Sequence, residues 1–510
     1  MPNPGKILSP NKPFRRLPAI LWLGMAGAVC LVVYGFIFTG SAFLFTFIDI
    51  PKYDLRLMVE GEPSLLWLYR IGFLVLAAMY ILGGWSAAHS QGWKAWVIVL
   101  GAAFLSAGTL IFLYPFDASD IFDYIIHGRM LALYGANPYQ ATAVAYPLDP
   151  IYPYVGWVKS TSPYGPFWLQ LSALTARFAG NTVVGNVIAF KLLDGVFYCI
   201  SVGFVAAILH NQNPKRTLAG VWLFACNPLV LYETFGHGHN DITLTACLLG
   251  SVWFMVGRRY TLTVLALVAG ALFKYVSLLV LPAAVLFALI NHNNWKAKLR
   301  YLGVTGLSCL VLIVFAYQPF WAGWKTIDLT TRVYLYTTSL PTIIQTQFRD
   351  TFGITPLSQA ISLVAAILTL VVSVFITWRL IREKSWMSYP KAALTILLFY
   401  LLVTCLWFQQ WYVVWLVGLV VLLPLSGLTL IGYLLSFWVM TKVLVFAPPL
   451  LWVRPLPNVQ YREFWLSVGV MGLPWLVSLI VLVRYGINEV RALTHIKVPK
   501  LKSDNRITIR

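Results

Sequence analysis

The sequence predicts an all-α fold: one polytopic transmembrane helical bundle, with about 12–14 membrane helices and long outward loops that carry interfacial helices. Three observations predict it. Of 510 residues, 59% are hydrophobic and only 11% charged, whereas soluble domains carry about 25% charged residues. A soluble body with so little charge has no means of covering its surface. Apolar runs near the roughly 20 residues that cross a bilayer recur along the chain. Basic residues collect in patches between those runs, as they do on cytoplasmic loops. The 15% aromatic content excludes disorder. The net charge of +20 is therefore read as a topology signal, and no nucleic-acid partner is expected.

The elements follow in order. Lys6, Lys12, Arg15 and Arg16 precede an apolar run from about Leu17 to Phe38. It is too long for a signal h-region and lacks an A-x-A site, so it reads as a retained first span. Runs near 64–86, 92–114, 183–208, 218–235, 242–257, 301–319, 357–380, 392–408, 428–447 and 464–484 are further spans, and 412–425 fits a thin or tilted one. Lys215-Arg216, Arg258-Arg259, Lys296–Arg300, Arg379–Lys384 and the basic tail 485–510 are placed in the cytoplasm with the N-terminus. That parity requires 164–180 to be a short interfacial or re-entrant helix. It also requires 261–290 to be two short helices meeting at Lys274-Tyr275. The loops at 115–163 and 320–356 then face outward and are too long for plain connectors. Their Tyr, Trp and Pro content favours order. The six cysteines lie in apolar stretches without a C-x-x-C pair and read as small buried hydrophobes.

Nearly all carboxylates fall outside or at outer helix ends, which invites a chemical explanation. Asp117, Asp120 and Asp123 stand three apart in the first outward loop, as neighbours on one helix face. Capping is the bland meaning. A base that accepts a hydroxyl proton, helped by acids that orient it or hold a cation, is the chemical one. Gly236 through Asp241 (GHGHND) forms a tight outward turn. Its two histidines and Asp241 either bind a metal, face a substrate, or simply cap the next helix, and Glu233 one turn earlier is a weaker candidate. Lys274 either snorkels or meets a phosphate. Arg129, Lys159, Lys325, Arg332 and Arg349 compete for that second role, and Lys191 with Asp194 reads as an ion pair across one helical turn. Aromatic clusters such as 407–412 fit a membrane belt. There is no P-loop, no G-x-G-x-x-G after a strand, no H-E-x-x-H and no G-x-S-x-G.

Four segments carry a family likeness. They are Asp120, Tyr124, Gly128 and Arg129 with Asn137-Pro138-Tyr139; Ser162 through Pro166; Asn227-Pro228-Leu229 with Glu233 and Gly238 through Asp241; and Tyr317 through Gly323 with Gln410-Trp411-Tyr412 and Trp415. Spanning about 115–425, they resemble the GT-C integral-membrane glycosyltransferases that use polyprenyl-phosphate sugars. Within these, the likeness is to bacterial mannosyltransferases of glycosyltransferase family 87 and the α-1,6-mannopyranosyltransferases.

The resemblance implies inverting transfer of a hexose, mannose at family level, from a polyprenyl-phosphate sugar donor to a glycan or glycolipid acceptor. The reaction would take place at the extracytoplasmic face of a plasma (inner) membrane, among membrane lipids. It assigns the base to Asp120, with Asp117 and Asp123 as competitors, and a second acid to Asp241. It places Tyr124, Arg129, Asn137, Tyr139, Tyr164, His239, Asn240 and Lys274 around the substrate. No cofactor is required and no metal ligand set is assigned; a divalent cation (Mg or Mn) is optional. The D-x-x-D-x-x-D spacing departs from the D-x-D or E-x-D of other branches. The rivals are a transporter or lipid flippase, which would predict two similar halves, and a non-catalytic scaffold, which would leave the aspartates without a task.

Overall fold

The computed structural model describes residues 18–52, 54–324, 326, 334–380, 382–383, 385–449 and 459–494. The tail beyond Thr494, and Lys325 and Arg332, lie outside the described residues. Among those described there is no strand, only three isolated β-bridges between loop segments. The chain is an integral multi-pass membrane protein by its helices. Among the described residues seven are long and apolar enough to cross a bilayer, or eight if one bent pair counts as a single span. Six shorter apolar helices complete the bundle.

The two helices Trp295–Phe320 and Ile354–Arg379 are only 17% buried and present Leu307, Phe315, Leu363 and Leu370 outward. An apolar helix open on most of its surface suits lipid contact. Asp241–Val256 and Val414–Leu422 form the opposite case. The second of these is buried along its whole length, and it packs on the first. Asp241–Val256 also packs on Val183–Gln212 and Tyr260–Ala271. This inner set carries the polar groups described below.

Two breaks aim chain ends at those groups. Thr217–Ala225 and Pro228–Leu231 meet at Asn227-Pro228 within a span bent by 48°. Pro228 lacks the N–H that a continuous helix needs, and Asn227 caps the new start by accepting from the N–H groups of Leu229 and Val230. Tyr260–Ala271 ends just before Lys274, whose backbone is extended, and the chain resumes as Tyr275–Leu279 and Leu281–Ile290. The expected meeting of two short helices at Lys274-Tyr275 is therefore present. Gly165 docks on this break: its N–H donates to Phe273 O, and a Cβ there would lie 2.2 Å from Leu272 O. The Pro166–Ala179 helix begins from that anchor and packs along Asp120–Tyr134. Arg216 donates to Leu423 O, so the basic patch at 215–216 and the end of the Val414–Leu422 helix share one level. The far ends of both segments, near Gly236 and Gln410, meet at the other.

One expected pairing is corrected. Lys191 and Asp194 do not pair. Lys191 Nζ donates to the carbonyl oxygens of Leu110, Ile111 and Leu113, at 3.3, 3.2 and 2.5 Å. These are carbonyls at and just beyond a helix C-terminus, where a cation is stabilising, and three of them outcompete a single carboxylate one turn away. Both Asp194 oxygens are buried without a hydrogen-bond partner.

Candidate active site

The inner helix ends enclose a cavity of about 690 Å³ lined by Asp117, Asp120, Asp123, Tyr164, Lys274, Trp411 and Trp415, among others. Asp120 is the first residue of its helix and Asp123 lies one turn on, where the helix dipole favours negative charge. Ser119 at the N-cap makes no side-chain bond. Asp120 keeps 19% of its side chain exposed, and His239 Nε2 lies 3.9 Å from its Oδ2. Asp117 accepts from the Gln410 side-chain amide.

Asp241 begins its own helix and is buried. Lys274 Nζ donates to Oδ2 at 2.6 Å and Trp415 Nε1 donates to Oδ1 at 2.6 Å. Lys274 Nζ also lies 5.8 and 5.6 Å from the ring centres of Tyr164 and Tyr412, within cation–π range. The lysine is thus an anchored cation at the cavity edge, held by Asp241, and not a free snorkelling chain. The turn before Asp241 depends on Gly238, whose φ of +69° places it in the left-handed region and whose hydrogen faces Ile121. This turn brings His239 flat against Trp411, ring centres 3.8 Å apart, with Nδ1 2.9 Å from Glu233 Oε2.

The remaining expected site residues divide. Tyr124 is buried behind the cavity, its hydroxyl 3.4 Å from Asn240 Oδ1 and its ring edge-on to Tyr164. Asn240 stands at the N-cap of the Asp241 helix. Asn137 donates to Phe320 O at 2.8 Å and accepts from Tyr139 N–H, and Tyr139 donates to Tyr164 O at 2.7 Å. These two brace the outward loop. Arg129 is not brought to the cavity. It is 2% exposed, pairs with Asp149 at 2.8 Å, and donates to Gly180 O and Asn181 Oδ1. With its guanidinium taken up by protein acceptors it has no face left for a phosphate. Asp123 Oδ1 accepts from Trp157 N–H at 3.0 Å, which gives it a loop-anchoring task. Trp415, Gln410 and Glu233 gain contacts that the sequence alone did not assign. All three lie in segments that carry the family likeness.

The cavity carboxyls titrate high. Burial raises Asp120 above the usual range; Asp241 adds to this, while His239 and Lys274 oppose it. Burial, then the Glu233 carboxyl, pushes Asp117 up to about 8. Burial, then Asp120, pushes Asp123 up to about 7. Burial lowers His239 to about 4 despite the nearby acids, so its ring is neutral near pH 7. Among the described residues no group of three or more His, Cys, Asp or Glu side chains is arranged to hold a metal ion. A partly exposed carboxylate and an anchored cation lining one cavity, with a neutral imidazole behind the carboxylate, suit proton abstraction next to a developing phosphate charge.

Residues 21–290 match the family described as alpha-(1->6)-mannopyranosyltransferase, N-terminal domain. The chain is 23% identical over 190 residues to alpha-(1->6)-mannopyranosyltransferase A of Corynebacterium glutamicum, covering 37% of this chain and 38% of that protein. It is 25% identical over 219 residues to the protein of the same name from Mycobacterium tuberculosis, covering 41% of each. A probable alpha-(1->6)-mannopyranosyltransferase of Mycolicibacterium smegmatis is 24% identical over 148 residues, 28% of this chain and 25% of that one. The chain thus aligns with about two-fifths of the first two relatives' own length. No solved structure matches. The family match covers more than half of the chain and includes Asp117 through Lys274, so this protein belongs to the alpha-(1->6)-mannopyranosyltransferase family.

Proposed function

We propose that this chain is a membrane mannosyltransferase that moves a mannosyl group, with inversion, from a polyprenyl-phosphate donor to a glycan or glycolipid acceptor. The reaction takes place at the extracytoplasmic face. The observation that carries this reading is the pairing of Asp120 with Lys274 across one cavity: a carboxylate without a hydrogen-bonding cation of its own, and a cation fixed by Asp241 and Trp415. The basic patches at 215–216, 258–259 and 296–300 support the orientation, since the cavity lies at the opposite helix ends.

Asp120 takes the proton from the acceptor hydroxyl as that oxygen attacks the anomeric carbon. The bond to the donor phosphate breaks on the opposite face, and the leaving phosphate meets Lys274. Asp241 fixes the lysine, Trp415 holds Asp241, and Tyr164 and Tyr412 flank the lysine, so a cation is already in place where negative charge builds. Membership of the alpha-(1->6)-mannopyranosyltransferase family supports mannose and an α-1,6 linkage.

The test uses purified protein in nanodiscs with a polyprenyl-phosphate-mannose donor and an alkyl α-mannoside acceptor. Free polyprenyl phosphate and extended mannoside should appear together, and Asp120→Asn should abolish both. Transport of a solute across liposomes with no donor consumed would instead establish the transporter reading. Donor consumption with a normally active Asp120→Asn enzyme would refute the base assignment.

A further inference from the structure

Behind Asp120 stand two buried groups that the mechanism above does not use. Glu233 lies in the last turns of the bent span and His239 in the glycine turn that follows. Both are 1% exposed or less. His239 sits between the two carboxyls, with Nε2 3.9 Å from Asp120 Oδ2 and Nδ1 2.9 Å from Glu233 Oε2. The ring cannot swing away: it stacks on Trp411 at 3.8 Å, and its backbone N–H donates to Glu233 O at 2.9 Å. The 2.9 Å contact has hydrogen-bond length but is out of line with the ring N–H. Both ring nitrogens and both Glu233 oxygens therefore count as buried without a hydrogen bond. Four orphaned polar atoms in one line behind a proposed base need an explanation. Catalytic hydrogen bonds are often long before substrate binds.

We propose that Glu233 and His239 are a positioning pair that keeps an N–H on Nε2 facing Asp120, so that Asp120 stays the anion and is aimed at the acceptor hydroxyl. The inference rests on Asp120 as base. A neutral ring holds one hydrogen. When Glu233 is in its acid form, its O–H donates to Nδ1, and the ring hydrogen must sit on Nε2 and point at Asp120. When Glu233 loses that proton, the ring hydrogen moves to Nδ1 to meet the new carboxylate. Nε2 then turns a lone pair on Asp120. The proton taken from the acceptor rests on Asp120 and leaves through the cavity, so the pair holds its own proton throughout turnover. Other charges face the pair. Asp120, Asp241, Lys274 and His237 surround His239, and Asp117, Asp120, Asp241, Lys442 and the Gln410 amide surround Glu233.

The experiment follows mannosyl transfer by the full chain in nanodiscs, with polyprenyl-phosphate mannose and an octyl α-mannoside, over a pH range of about 5 to 9. The wild type should lose kcat at high pH as the pair gives up its proton. Glu233→Gln supplies an amide N–H to Nδ1 at every pH. It should keep kcat within about threefold near neutrality and lose the high-pH decline. Glu233→Leu and His239→Gln should lower kcat roughly 10- to 100-fold, as removing a partner that orients a functional histidine does, with donor KM unchanged. If Glu233→Gln keeps the wild-type high-pH decline, or Glu233→Leu and His239→Gln both turn over normally, the pair has no positioning role while Asp120 stands. If Asp120→Asn is active, the base reading fails and this inference fails with it. Thermal unfolding of each variant identifies one that does not fold. If the Glu233 variants do not fold, His239→Gln decides the question by its kcat alone.

Discussion

The two sides of the Asp120–Tyr134 helix send charged side chains to opposite fates. Asp120, on the first turn, opens into the cavity, with the neutral His239 ring 3.9 Å away. On the other side Arg129 is 2% exposed, with Asp149, Gly180 and Asn181 taking its donors. A reactive group differs from a structural one by what the neighbouring backbone supplies. Protein acceptors close around Arg129, and the outward loop leaves Asp120 open. The largest expected effect tests this contrast. Asp120→Asn should cut mannosyl transfer about 10²- to 10⁴-fold, the range for a lost general base, with little change in thermal unfolding. Equal losses of activity and stability would erase the distinction.

The next effect belongs to Arg129. Arg129→Ala leaves Asp149 buried without its cation, held only by the Tyr134 hydroxyl and the Ile151 N–H, which costs up to roughly 3–5 kcal/mol, while transfer per folded molecule should persist. Replacing both partners, Arg129→Met with Asp149→Leu, should recover much of the melting temperature. A catalytic collapse in a well-folded Arg129→Ala protein would return the arginine to the substrate.

Much of this was legible in the sequence, for physical reasons. Apolar run lengths and basic patches fixed the helices. The parity of charge forced the break at Lys274, and the structure has it. The GHGHND turn was readable because glycine at 238 and the helix start at Asp241 are local features. What was not readable depended on distant backbone. The Lys191–Asp194 pairing failed because the carbonyl ends at 110–113 lie about 80 residues away and no spacing rule reports them. Asp149 reaches Arg129 across an irregular loop, and its role has no periodic signal. Trp415 carried part of the family likeness, but nothing in the sequence paired its indole N–H with Asp241, 174 residues earlier.

Asp117 sharpens the comparison through pH. Burial and Glu233 raise its carboxyl from the ordinary aspartate range near 4 to about 8. The folded state therefore holds this proton more tightly than the unfolded one. The resulting stability is present in full below about 4 and is lost as pH rises through about 8. Asp117→Asn should remove that decline and stabilise the protein above pH 8 by at most a few kcal/mol, since part of the side chain meets the cavity. Unfolding midpoints measured against pH for both proteins would show it. A wild-type curve that rises over this window would contradict the buried placement.

The smallest effect is expected at Asp123, and it is the most discriminating. Asp123 shares the helix, the residue type and the spacing of Asp120, yet its Oδ1 is committed to Trp157 N–H. Asn keeps an oxygen there for the same bond. Its new amide N–H group would occupy the place of Oδ2, which is buried without a partner. Below the Asp123 pKa of about 7 the native acid already carries a hydrogen, so Asn changes little. Above it, Asn removes a desolvated charge. Asp123→Asn should therefore alter stability by no more than about 1 kcal/mol near pH 6, become relatively stabilising above pH 7, and leave transfer within a few-fold of wild type. Loss of activity equal to that of Asp120→Asn would mean that the carboxyls act as a unit, and that hydrogen bonding to the loop does not separate a base from its neighbour.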